Sequence, residues 1–97
     1  MPAPRYLEQF LEMLSAERGA ARLTLAAYRG DLLDAARFLA RVPLEDAGSD
    51  DLRRYLARLA RLGMAPRSAA RKLSALRQFF RFLVLERVRA DDPTAVL

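Results

Sequence analysis

The chain has 97 residues, which fits one small domain, and its 17 basic and 12 acidic residues give a net charge of +5. It has no Cys and no His, which excludes disulfides and thiolate chemistry and removes the commonest general base and metal ligand. No apolar run approaches the ~20 residues of a membrane span, and the N-terminus lacks a signal-peptide core. We therefore expect a soluble cytoplasmic protein, not an enzyme, with no cofactor and no metal.

Two helices are predicted in the first half of the chain, from apolar residues at three- and four-residue intervals. The first ends at Gly19, since glycine suits the left-handed C-cap conformation. The second runs roughly from Leu23 to Arg41 and is closed by Pro43, whose ring cannot continue a helix. The inward positions are Tyr6, Leu7, Phe10, Leu11 and Leu14, then Leu25, Tyr28, Leu32, Ala36 and Leu39.

The third predicted helix follows the segment Val42–Ser49, which is interpreted as the longest loop. Ser49 or Asp50 is expected as the N-cap, because both side chains can accept a hydrogen bond from the first turn. Gly63 is expected to end this helix. Its inward positions are Leu52, Tyr55, Leu56 and Leu59.

The fourth predicted helix starts at Pro66, because the first helical turn tolerates proline best, and runs to about Arg87. Asp91–Pro93 is then expected to leave regular structure. The inward positions are Ala69, Leu73, Leu76, Phe80 and Leu83. No segment alternates as a strand would, so the predicted fold class is all-α.

The chain resembles itself at an offset of 44 residues, over a window that starts at Gly19 and again at Gly63. In both copies a glycine ends one helix and a Ser or Thr stands near the start of the next. This pattern predicts two helical hairpins that bury each other's apolar stripes.

The charge is unevenly distributed along the chain. Residues 1–52 carry six Arg and nine acidic residues (net −3), whereas residues 53–97 carry ten Arg, one Lys and three acidic residues (net +8). Such asymmetry favours a polyanionic partner, with nucleic acid ahead of an anionic membrane surface. A solvated basic face is the alternative, and a GC-rich genome would also give an excess of Arg over Lys.

The fourth helix has one polar side opposite its apolar stripe. At about 100° per residue, five polar residues share this side, which we call the arginine face: Arg67, Arg71, Ser74, Gln78 and Arg81, with Arg77 at its flank. Arg, Ser and Gln bind phosphates and base edges in the major groove. The start of the second helix offers a smaller set, Arg22, Thr24 and Arg29, although Thr24 also fits a local helix-start role.

Two residues of the fourth helix fit neither side clearly. Lys72 lies toward the core, so its amine must extend outward or sit beyond the core's edge. Phe82 fits core packing or base stacking, whereas Phe79 and Phe80 are expected in the core.

The run Glu17–Leu32 resembles the opening motif of the core-binding domain of tyrosine recombinases, the phage-integrase-like family. The run Ser68–Leu83 is similar to the last large helix of that domain, and Asp91–Ala95 to the segment that joins it to the catalytic domain. The resemblance covers about residues 6–97. Within the family the chain is most similar to recombinases that resolve chromosome dimers, with other chromosomal recombinases and phage integrases as close alternatives.

The resemblance implies a four-helix orthogonal bundle (SAM-like), with residues 1–97 as one domain that clamps one face of a DNA recombination site. It places Arg22, Thr24 and Arg29, then Arg67, Ser68, Arg71 and Arg77, nearest the DNA. It also implies a C-terminal catalytic domain in the same polypeptide, a partner recombinase and a DNA translocase.

The family's catalytic residues cannot be assigned in this chain, since His is absent and the three Tyr lie on predicted buried stripes. We therefore expect a domain without the active site. A helical protein-interaction module with an acidic partner remains the alternative from another class.

Overall fold

The computed structural model describes residues 4–97, and no strand occurs in that range. The elements are α1 (Leu7–Arg18), α2 (Arg22–Leu39), a 3-10 turn (Leu44–Asp46), α3 (Ser49–Arg61) and α4 (Pro66–Leu85). The all-α class and the four helices are therefore confirmed. Among the described residues, no helix is both long enough and apolar enough to cross a membrane.

The two halves of the chain use the same turn chemistry. Gly19 follows α1 with a φ of 60°, and Gly63 follows the last turn of α3 with a φ of 68°, a region that favours glycine. Ala21 and Ala65 then precede α2 and α4 in an extended conformation, and neither makes a side-chain cap bond. The sequence match at an offset of 44 residues thus corresponds to a repeat in structure.

The core lies where the apolar sides of the four helices meet, and aromatic rings fill its centre. The Phe10 ring packs 5.6 Å from that of Phe79 and 5.7 Å from that of Phe82, measured between centroids. Phe82 is only 5% exposed, so core packing is its role and the base-stacking alternative is wrong. The apolar stripe of α4 is therefore wider than predicted, because it reaches round to Phe82.

Two helices end earlier than predicted. α2 ends at Leu39, before Arg41, because Ala40 turns to a positive φ of 53° well ahead of Pro43. α4 ends at Leu85 rather than near Arg87, which itself has a φ of 59°.

The start of α3 also differs from the prediction. Gly48, not Ser49 or Asp50, is the N-cap residue. The Gly48 N–H donates to the Asp51 carboxylate at 2.9 Å, so the bond runs from the N-cap backbone to a side chain of the first turn, whereas a Ser or Asp cap was expected to accept from the N–H groups of that turn.

The predicted loop and the predicted exit both pack onto the domain. Leu44 and Ala47 of the 42–49 segment are buried around the 3-10 turn. The chain does leave regular structure at Asp91–Pro93, as predicted, but Pro93 and Thr94 are buried, so this segment still packs onto the helices. Arg89 joins the two segments, donating to the carbonyl of Ala47 at 2.8 Å.

Candidate nucleic-acid interface

α2 and α4 pack side by side and run in opposite directions. Contacts that move forward along α2 move backward along α4: Tyr28 meets Gln78 and Ser74, and Asp31 meets Arg71. The start of α2 therefore lies beside the C-terminal half of α4. The two helix N-termini stand at opposite ends of the pair.

Asp31 is the most buried charged side chain of this helix pair, with its side chain 2% exposed. Its two oxygens accept hydrogen bonds from Nε and Nη2 of Arg71, both at 2.8 Å, and Lys72 Nζ lies 3.2 Å from Oδ1. A carboxylate out of water needs such partners. The hydrogen bonds and the charge of Asp31 raise the pKa of Arg71.

A second carboxylate extends this cluster to α3. Asp34 accepts a 2.6 Å hydrogen bond from the Tyr55 hydroxyl and lies 3.4 Å from Lys72 Nζ. Partial burial raises the pKa of Asp34, but Tyr55 and Lys72 together outweigh it, so that pKa lies below its ordinary value. Burial and the bond to Asp34 raise the pKa of Tyr55. Lys72 thus extends from the edge of the core to two acidic residues.

Ser74 and Gln78 of the arginine face belong to another cluster between α2 and α4. The Gln78 amide donates to the Tyr28 hydroxyl at 3.0 Å and to Ser74 Oγ at 3.1 Å. Its carbonyl oxygen accepts from Arg18 Nη1 at 3.1 Å. Every polar atom of the Gln78 side chain is therefore bonded within the protein.

Other members of the predicted DNA-facing set remain open to solvent. Four of them are exposed: Arg22 and Thr24 in the first turn of α2, and Arg67 and Arg81 on α4. No hydrogen bond or ion pair joins their side chains to any residue of 4–97. Ser68 is half-buried. Arg67 and Arg81 are 14 positions apart, or about 21 Å along a helix.

Arg29 and Arg77 are exposed but have protein partners. Arg29 forms a bidentate ion pair with Glu8 of α1, and this hydrogen bond lowers the pKa of Glu8. Arg77 donates to the backbone oxygen of Leu97 at 3.1 Å. Both contacts lie at the surface, where water and salt weaken them.

Several cations outside the predicted set serve the fold. Arg53 and Arg54 pair with acidic residues three positions earlier in α3, and Arg58 stacks over the Phe38 ring. Arg89 is 15% exposed and bonds Asp91 and two backbone carbonyls. The +8 half of the sequence is thus divided between structural cations and free ones.

The sequence analysis did not identify Asp31 and Asp34 as the acidic residues that bond α4. Asp31 and Asp34 are three positions apart on α2, which places them on neighbouring positions of one helix face. That spacing was the available signal. No cluster of His, Cys, Asp or Glu able to hold a metal ion occurs among the described residues.

Residues 7–87 match the family model of the phage integrase N-terminal SAM-like domain. The chain belongs to this family. It is 56% identical over 94 residues to the tyrosine recombinase XerD of Rhizobium meliloti, covering 95% of this chain and 30% of that protein. The corresponding XerD of Agrobacterium fabrum is 53% identical over 93 residues (94% and 28%).

A third relative, XerD of Caulobacter vibrioides, is 46% identical over 91 residues, covering 92% of this chain and 30% of that protein. The chain therefore spans about three-tenths of the length of these curated relatives. No solved structure matches it. The predicted membership in the tyrosine recombinase family, through its N-terminal domain, is confirmed.

Proposed function

We propose that this chain is the DNA-binding domain of a XerD-like site-specific tyrosine recombinase and grips one face of a duplex recombination site. The observation that carries the proposal is that three exposed guanidinium groups, Arg67 and Arg81 on α4 and Arg22 in the first turn of α2, have no partner among residues 4–97. Arginine binds phosphate through two parallel N–H donors, and an α-helix fits the major groove.

The proposed DNA-facing set still contains all ten residues that the sequence analysis predicted. They fall into groups with different roles. Arg22, Arg67 and Arg81 supply phosphate contacts, since their guanidinium groups are free. Arg29 and Arg77 exchange a weak surface partner for a phosphate. The other five are Thr24 and Ser68 near the helix starts, Ser74 and Gln78, which brace α4 against α2, and Arg71, which Asp31 holds.

In the whole protein, a C-terminal catalytic domain in the same polypeptide would grip the opposite face of the site. From the family resemblance we also propose a role in chromosome dimer resolution in the cytoplasm, with a XerC-like recombinase and an FtsK-like translocase as partners; the curated relatives are named tyrosine recombinase XerD. A XerC-type recombinase or a phage integrase is the alternative within the family. The domain alone would not cleave DNA.

Salt dependence of duplex binding tests the proposal. With about five phosphate contacts, the logarithm of the association constant should fall against the logarithm of salt concentration with a slope of about −4 to −5. Fluorescence anisotropy of a labelled duplex gives this slope. Arg67→Ala should make it shallower by about 1, because one phosphate contact is lost.

Arg41→Ala is the matched control, because it removes the same charge from an exposed residue beyond the end of α2. It should leave the slope nearly unchanged. Equal effects of the two variants would reject the assigned face. Absence of duplex binding at low salt, with helical circular dichroism intact, would reject the DNA-binding role and favour an acidic protein partner.

A further inference from the structure

Arg71 differs from the other arginines of the arginine face because a buried carboxylate fixes it. Its Nε and Nη2 atoms donate to Asp31 at 2.8 Å each, a side-on pairing with two parallel bonds. The Asp31 carboxylate is itself held by Lys72, whose side chain is 11% exposed. The guanidinium plane is thus anchored in the rigid interface between α2 and α4.

The pairing leaves the outer edge of the guanidinium free. Arginine has five N–H donors, of which Asp31 takes two. The two on Nη1 and one on Nη2 remain, and the Arg71 side chain is 46% exposed. One donor from each Nη atom forms the end-on fork that matches O6 and N7 of guanine in the major groove.

Fixed orientation matters more for a base than for a phosphate. A phosphate offers acceptors in several directions, whereas guanine offers two acceptors in one plane. A guanidinium that is already oriented loses less side-chain freedom on binding and discriminates between bases more sharply. Arg67 and Arg81, without such an anchor, suit phosphates.

We propose that Arg71 reads a guanine in the major groove and that Asp31 is the positioning residue that orients it, an inference that rests on the duplex binding proposed above. Asp31 then serves sequence preference rather than affinity. If Asp31 were only a counter-charge, it would weaken the attraction of Arg71 for every duplex and would not contribute to sequence preference.

The test begins with selection of duplexes from a randomised library by the chain at moderate salt. The recovered sequences should share a guanine. Replacing that guanine by 7-deazaguanine removes N7 but keeps O6, so one of the two bonds is lost and binding by the wild-type chain should weaken roughly 5-fold, the lower end of the range for a bidentate base contact. Arg71→Ala should bind both duplexes equally.

Asp31→Asn should lose most of the guanine preference, while its affinity for unrelated duplexes stays the same or rises because one negative charge is removed. Asp34→Asn is the matched control. It removes the same charge one turn along α2 from a residue that does not bond Arg71, and it should keep the preference. Arg71→Lys retains a cation for Asp31 but lacks the planar pair of donors, so its preference for guanine should be weaker than that of the wild-type chain.

Three results would overturn the inference. Wild-type binding without a shared guanine would reject base reading by Arg71 yet leave duplex binding intact. A tighter Asp31→Asn variant that keeps the guanine preference would make Asp31 a counter-charge. Absence of any duplex binding would reject the proposed function together with the inference. Should Asp31→Asn fail to fold, Asp31→Glu replaces it, because it keeps the charge but displaces the carboxylate by one methylene: loss of the guanine preference would support the positioning role, and a full preference would reject it.

Discussion

The α1–α2 hairpin and the α3–α4 hairpin share their turn chemistry and differ in their charge. Both have a left-handed glycine between their helices, Gly19 or Gly63, yet residues 7–39 carry four Arg and five acidic residues (net −1), whereas residues 49–85 carry eight Arg, one Lys and two acidic residues (net +7). The acidic half supplies Asp31 and Asp34, which cross to α4 and hold Arg71 and Lys72. Acidic residues of the first hairpin therefore pair with basic residues of the second. Only some of the basic side chains of the second hairpin remain available to a binding partner.

Removal of Asp31 should have the largest effect, because it breaks the electrostatic link between the hairpins. Asp31→Ala removes the nearest partner of Lys72. The Lys72 side chain is only 11% exposed, so water can replace little of that interaction. We expect a loss of about 3 kcal/mol in the free energy of unfolding, measured by urea denaturation. Asp50→Ala, which breaks an exposed pair within α3, should cost at most about 0.5 kcal/mol. If Asp31→Ala and Asp50→Ala lost similar amounts of unfolding free energy, the Asp31 pair between the hairpins would stabilise the fold no more than an exposed pair.

The shared turns should respond alike to the same substitution. Gly19→Ala and Gly63→Ala each place a Cβ in the left-handed region, where nothing lies within 4 Å but the backbone itself is strained. Each should lose about 1 kcal/mol of unfolding free energy. Thermal and urea unfolding of the two variants give the comparison. A neutral result in one hairpin would break the parallel between them.

The smallest expected effect is a gain, and it concerns the first hairpin alone. Gly30 lies inside α2, and a Cβ built there meets nothing within 4 Å. Gly30→Ala should raise the free energy of unfolding by about 0.8 kcal/mol, because alanine loses less backbone entropy in a helix. Ala26→Gly, at another exposed position of α2, should lose a similar amount. A loss in Gly30→Ala would mean that α2 needs a local irregularity there.

The helices could be predicted from the sequence because each carries its own apolar period, and glycine and proline mark most of the boundaries. The neighbours of a polar helix side could not be predicted in the same way. Rotation about the helix axis groups Arg71 and Gln78 with Arg67 and Arg81, but it does not show that residues of α2 form hydrogen bonds with the first two.

The sequence pattern also could not predict residues that are buried by contacts distant along the chain. Pro93 and Thr94 follow two aspartates, a composition typical of an exit from structure, yet both are buried. Arg89 explains part of this result, since its bonds to the carbonyls of Glu45 and Ala47 hold the C-terminal segment against the 3-10 turn. The sequence likewise left core packing and base stacking open for Phe82, because the contact of its ring with Phe10 of α1 can be seen only in the structure.

The most direct test of the central claim, that α4 and the start of α2 together form a duplex-binding face, is chemical-shift mapping. An ¹⁵N-labelled chain is titrated with an unlabelled duplex at low salt, and amide shifts are followed in two-dimensional NMR spectra. The largest shifts should fall in the first turn of α2 and along α4 from Arg67 to Arg81, and added salt should reverse them. Shifts centred on α1 or α3, or no shifts at all, would contradict the claim.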